Sequence, residues 1–151
     1  MNRNMSFTRG WIIAAAESLN MPVIELSTLE ARELLRQLRM QFSNGDIDRY
    51  IWEDLVEPHS SIRWADGWRK IGEYVDRQPC ILVVPNENCA FRVRNGDELN
   101  AIIGECPLFE YFVTDENRTY LMCHNHHDYL IGVGNAASWV GRIVRDEASR
   151  K

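Results

Sequence analysis

Apolar residues in this chain change their period near residue 80. Before that point they recur every three to four positions, and after it they gather into short β-branched and aromatic runs separated by polar turns. A helix buries a stripe and a strand buries a run or an alternation, so the switch confines the chain to a mixed fold of both element types. The clearest local pattern in the first half is Ser27-Thr28-Leu29-Glu30, a capping box in which hydroxyl and carboxylate satisfy each other's backbone donors. Ala31, Leu34, Leu35, Leu38 and Phe42 follow as one apolar stripe, and Asn44-Gly45 supplies a left-handed stop. The opposite face carries Arg32, Glu33, Arg36 and Arg39, which a solvated surface accounts for. An earlier helix is predicted from Trp11, Ala15, Ser18 and Leu19, ending at Met21-Pro22 because the residue before proline avoids helical angles. A third uses Ile47, Ile51 and Leu55 from near Asp46 to Pro58. A fourth aligns Trp64, Trp68, Ile71 and Val75, where the tryptophans fit either core or an exposed binding edge.

From Cys80 to Val84 the chain reads as a strand stopped by Pro85, with a second strand at 90–93. Asn95-Gly96-Asp97-Glu98 caps a helix carrying Leu99, Ile102 and Ile103, which ends within 104–107. Residues 109–114, 119–123 and 129–133 are three strand-like runs joined by polar turns, the pattern of an antiparallel meander. Residues 136–143 suit a final short helix, and 1–6 and 145–151 read as frayed ends. The expectation is a single α+β domain over 1–151, its helical N-terminal half packed on a C-terminal antiparallel β-meander.

A chain of 151 residues with 45% hydrophobic content holds enough apolar material for one core. Its formal charge of −5 argues against nucleic acid, since duplex binding draws on a Lys/Arg surface that displaces counterions. Cys80, Cys89, Cys106 and Cys123 lie in apolar surroundings with no C-x-x-C pair, as buried reduced thiols do. The apolar run 11–16 is six residues long and closed by Glu17, short of the roughly 7–15 of an export signal. No stretch approaches the roughly 18 apolar residues of a membrane span, so no membrane association and a cytoplasmic location are expected.

Three of the four histidines fall in His124-Asn125-His126-His127-Asp128, between two strand-like runs. Alternation along a strand would put His124 and His126 on one face, offering two imidazoles to a metal, with His127, Asp128 or a remote acid completing the site of a metal-dependent hydrolase. The same residues suit a tight polar turn, because Asn, His and Asp tolerate left-handed angles and bond nearby amides. Contact with a partner is the third reading. Cys123 and His124, as strand neighbours, point to opposite faces and make no nucleophilic dyad. No nucleotide, phosphate-loop or hydrolase motif is present, so no cofactor and no catalytic residue are assigned. His59, between Pro58 and Ser60, is expected in a loop.

Between residues 44 and 57 stand five acids, Asp46, Asp48, Glu53, Asp54 and Glu57, against Arg49 alone, with Tyr50 and Trp52 interleaved. Glu105 to Glu116 holds four acids and no base. Acids with aromatics favour a basic protein surface, since charge speeds encounter and large rings supply contact area. The candidate partner-binding residues are therefore Asp46, Asp48, Tyr50, Trp52, Glu53, Asp54, Glu110, Asp115 and Glu116.

Phe109-Glu110-Tyr111-Phe112-Val113-Thr114-Asp115, Tyr120-Leu121-Met122-Cys123, Asn125-His126-His127-Asp128 and Leu130-Ile131-Gly132 together resemble an uncharacterised group of small bacterial cytosolic proteins. The chain is also broadly similar to immunity proteins of polymorphic or contact-dependent toxin systems. The resemblance covers about residues 95–135 of the chain. It implies an α+β domain that neutralises a cognate toxin by covering its active site, without catalysis, and it assigns no contact residue.

Overall fold

The central strands explain why the second half lacks a clean polar alternation. In a computed structural model, which describes residues 7–44, 55–107 and 109–149, strand β3 (Cys80–Val84) and strand β6 (Tyr120–His124) are buried at every position. A strand covered on both faces must be apolar on both. Successive side chains divide accordingly: Ile81, Val83, Phe112, Leu121, Cys123, Ile131 and Val133 pack toward one face, and Leu82, Val84, Tyr111, Val113, Tyr120, Met122 and Leu130 toward the other.

Seven strands form one antiparallel sheet in the order β1-β4-β3-β5-β6-β7-β2. The remaining strands are β1 (Ile24–Glu25), β2 (His59–Arg63), β4 (Cys89–Val93), β5 (Tyr111–Thr114) and β7 (Tyr129–Gly134). The predicted meander is β5-β6-β7, with Phe112 opposite Cys123 and Cys123 opposite Ile131. Helix α2 (Thr28–Phe42) covers one face with Leu34, Leu35, Leu38 and Phe42. Helices α1 (Phe7–Ser18), α3 (Trp68–Val75), α4 (Gly96–Glu105) and α5 (Ala137–Ser149) contribute Ile12, Ile71, Leu99, Ile102 and Val140 to the other. The class is α+β as expected, but the halves do not segregate. Both faces need cover, so helices from both halves flank the sheet, and the first half lends it β1 and β2. No helix among the described residues is long and apolar enough to cross a membrane.

Local chemistry sets most boundaries. Ser27 Oγ accepts from Glu30 N–H and Glu30 Oε1 accepts from Ser27 N–H, each at 3.1 Å, completing the capping box. Asn95 Oδ1 accepts from Glu98 N–H at 2.9 Å and starts α4. Helix α2 stops one residue before the expected Asn44-Gly45 signal. Ser43 is already extended (φ −132°, ψ 147°) because it pairs with Leu55 in an isolated antiparallel bridge.

Four further expectations are revised. His59 opens β2 instead of sitting in a loop, held by its register against Val133. The expected tryptophan helix is shorter: Trp64 is extended, a 3-10 turn spans Ala65–Gly67, and α3 begins at Trp68. Both tryptophans are half-buried, and Trp68 packs against the hydrophobic core, the first of the two alternatives. Helix α5 continues to Ser149, past the expected end at 143. The helix predicted from near Asp46 falls mostly outside the described residues.

Candidate functional site

The histidine-rich segment closes the β6–β7 hairpin. Strand β6 ends at His124 and β7 starts at Tyr129, so the chain turns through 125–128, and alternation does not carry on to His126. Asn125 is buried and ties the turn: its Oδ1 accepts from the N–H groups of His127 at 3.0 Å and Tyr129 at 3.1 Å. Its backbone accepts from Asp128 N–H at 3.0 Å, and Asp128 takes the left-handed conformation, φ 64°. An aspartate tolerates that angle better than a branched residue does.

Each histidine has a different environment. His124 is buried, and its Nε2 lies 3.1 Å from the carbonyl oxygen of Trp64. A carbonyl only accepts, so Nε2 carries the proton and donates. His126 is exposed in the turn, where its N–H donates to Glu110 Oε1 at 3.0 Å and its ring Nδ1 contacts the same carboxylate. The His126 and His127 rings lie with centroids 3.8 Å apart. Among the described residues, no three or more His, Cys, Asp or Glu side chains are grouped to hold a metal ion.

The His124 ring also forms part of the wall of a cavity of about 230 Å³, with Trp68, Cys106, Phe109 and Tyr111. Burial first, and the nearby Glu105 carboxylate second, push the Cys106 thiol up to about 11, so at neutral pH it is protonated and a poor nucleophile. Burial pushes Cys123 up to about 12, and it packs on the α2 face, away from the cavity. Tyr111 is likewise raised by burial. The cavity therefore offers shape and aromatic contact, with no activated group.

The three described acids of the proposed contact set lie at two ends of the sheet. Glu110, just before β5, holds the histidine turn. Asp115 and Glu116 follow β5 at the opposite end. There Asp115 Oδ1 accepts from Thr119 N–H at 2.8 Å and its Oδ2 from Thr119 Oγ1 at 2.5 Å, while Glu116 Oε1 meets Arg92 Nε at 2.5 Å. Asp46, Asp48, Tyr50, Trp52, Glu53 and Asp54 lie outside the described residues. The flanks of that segment are placed: Ser43 pairs with Leu55, Val56 N–H donates to Phe42 O at 3.0 Å, and Gln41 Nε2 donates to Arg118 O at 2.7 Å.

Sequence reasoning missed Trp64 as the acceptor for His124 and Glu110 as the acceptor for the turn. Both are contacts across the fold, and no local pattern announces them. Asn125 was legible as a turn residue from its tolerance of local side-chain bonding. Comparison with protein-family models, curated proteins and solved structures gives no match.

Proposed function

We propose that this chain is a non-enzymatic binding protein, an immunity protein that neutralises a cognate bacterial toxin domain in the cytoplasm by direct contact. The observation that carries the reading is in the sequence: Asp46, Asp48, Glu53 and Asp54 stand with Tyr50 and Trp52 interleaved, and Asp115 and Glu116 add a second pair of acids in a chain without a catalytic motif. A basic toxin surface complements such a patch, with charge setting the encounter rate and Tyr50 and Trp52 supplying the anchoring area.

The absence of turnover is part of the same reading, and the commitments of the reactive groups support it. His124 is bonded to Trp64, Glu110 to the His126 turn, and the thiols at 106 and 123 are held protonated by burial. Glu110, with its side chain only 11% exposed, serves the turn and contributes least to a contact surface.

The test is co-purification of the full chain with the product of the adjacent gene, over a salt series. The expected result is a complex that forms at roughly 50 mM NaCl and weakens steeply toward about 500 mM, as screening shortens the reach of the acids. Reversing Asp46, Asp48, Glu53 and Asp54 to Lys should weaken it by at least ~10-fold. No complex at low salt, or one indifferent to both salt and charge reversal, overturns the reading.

A further inference from the structure

The charged face of α2 is more than a solvated surface. Arg32, Arg36 and Arg39 line a pocket of about 290 Å³ together with apolar Leu35 and Met40 and polar Ser43 and Asn88. Asn88 sits in the turn between β3 and β4 in the left-handed conformation (φ 50°, ψ 44°).

The three guanidinium groups are not equivalent. Arg36 is already paired: its Nε donates to Glu33 Oε2 at 2.9 Å, its Nη2 meets Glu33 Oε1, and its Nη1 contacts Met40 Sδ at 2.9 Å. Arg32 makes no ion pair with any carboxylate among the described residues, although acids outnumber bases 22 to 17 in the chain. Arg39 is the most informative. Its Nε is buried and has no hydrogen-bond partner. A buried charged donor left unmatched is unfavourable, and an ordered water or an ion is one partner that would satisfy it.

We propose that this pocket binds the oxyanion group of a small ligand, a phosphate or a carboxylate, between Arg32 and Arg39. Two unneutralised guanidinium groups present planar forks of donors that match such an oxyanion in geometry as well as charge. Arg36, fixed by Glu33 and Met40, shapes the wall, and Leu35 with Met40 accommodates the apolar part of the ligand. Ser43 and Asn88 complete the polar lining. The site lies on the flank of α2 and uses none of the acids assigned to partner contact.

The full chain is titrated separately with inorganic phosphate and with sodium acetate, following the arginine Nε–Hε resonances by NMR, with sodium chloride at matched ionic strength as control. A saturable shift of the Arg39 resonance with phosphate or acetate, absent with chloride, is the expected result. Saturation by phosphate alone identifies a phosphate-bearing ligand, and saturation by acetate a carboxylate. Arg39→Gln and, at an exposed position where folding is least at risk, Arg32→Gln should each weaken binding by ~10-fold. Arg142→Gln, on α5, should not change it. Linear shifts without saturation, an equal response to chloride, or unchanged affinity in both pocket variants overturns the site.

Discussion

The buried ring of His124 donates to the carbonyl oxygen of Trp64, 60 residues earlier in the chain, and so pins the segment after β2 to the end of β6. Replacing it by Leu keeps the bulk and leaves that carbonyl without its donor. The expected cost is about 1–3 kcal/mol. Urea unfolding should show a lower midpoint at unchanged slope, and His124→Gln, which retains a donor, should recover part of the loss.

Asn125 makes the β6–β7 turn through one oxygen that serves two backbone donors. Asn125→Ala removes both bonds and is expected to cost about 1–3 kcal/mol, whereas Asn125→Asp keeps the acceptor and costs less. At Asp128, φ 64°, Gly should be tolerated and Val should destabilise by roughly 1–2 kcal/mol. Chemical denaturation of the four variants separates these outcomes. A loss in Asn125→Asp equal to that in Asn125→Ala would sink the account.

The start of α2 has a pH signature. The Ser27 backbone N–H, aided by the Ser27 hydroxyl, holds the Glu30 carboxyl below its ordinary value of 4.5. A lowered carboxyl stabilises the fold above the unfolded-state value and loses that contribution as pH falls through the folded-state one. Ser27→Ala should cost about 1 kcal/mol at neutral pH. The gap between wild type and Ser27→Ala should shrink as the pH drops below about 4.5, read from thermal melts across pH 3–7.

The four thiols should react in a set order. Cys106 is half-buried and its thiol is pushed up to about 11, while Cys80, Cys89 and Cys123 are buried and pushed up to about 12. With an aromatic disulfide reagent at pH 8, Cys106 should modify first, and Cys80, Cys89 and Cys123 should wait for unfolding. Mass spectrometry of the partly labelled protein identifies the site. Early labelling at Cys123 would contradict its placement between sheet and α2.

Helix α4 starts against α3 with no space to spare. A Cβ built on Gly96 would lie 1.9 Å from the Gly72 carbonyl oxygen, a backbone atom that cannot move aside alone. Gly96→Ala should therefore cost about 1–3 kcal/mol or more. In a chain this size the thermal midpoint should fall by roughly 3–10 °C.

What was readable in the sequence was whatever local chemistry decides. The Ser27–Glu30 box, the Asn95 cap, the stripe on α2 and the three runs of the meander each follow from neighbours in the chain. What was not readable depended on partners far away. Strand β2 has little β-branched content and becomes a strand by pairing with β7, so His59 looked like a loop residue. Trp64 matched a helical spacing that its extended backbone breaks. The segment 125–128 was open between metal, turn and contact. Its geometry depends on Glu110 and Trp64, so composition alone left the choice unmade. Arg32 and Arg39 looked like ordinary surface charge, because whether a guanidinium has a partner is decided by the fold around it.

The register of β2 also constrains how the molecule is made. His59 pairs with Val133 and Arg63 with Tyr129, so this edge of the sheet must wait for about seventy further residues to leave the ribosome before it gains β7, its strand partner among the described residues. At roughly 5–20 residues per second, that is several seconds during which the nascent chain carries an unmatched strand. A ribosome pause upstream of residue 129 would prolong that exposure, and synonymous codon choice there becomes a lever on yield without altering a single side chain.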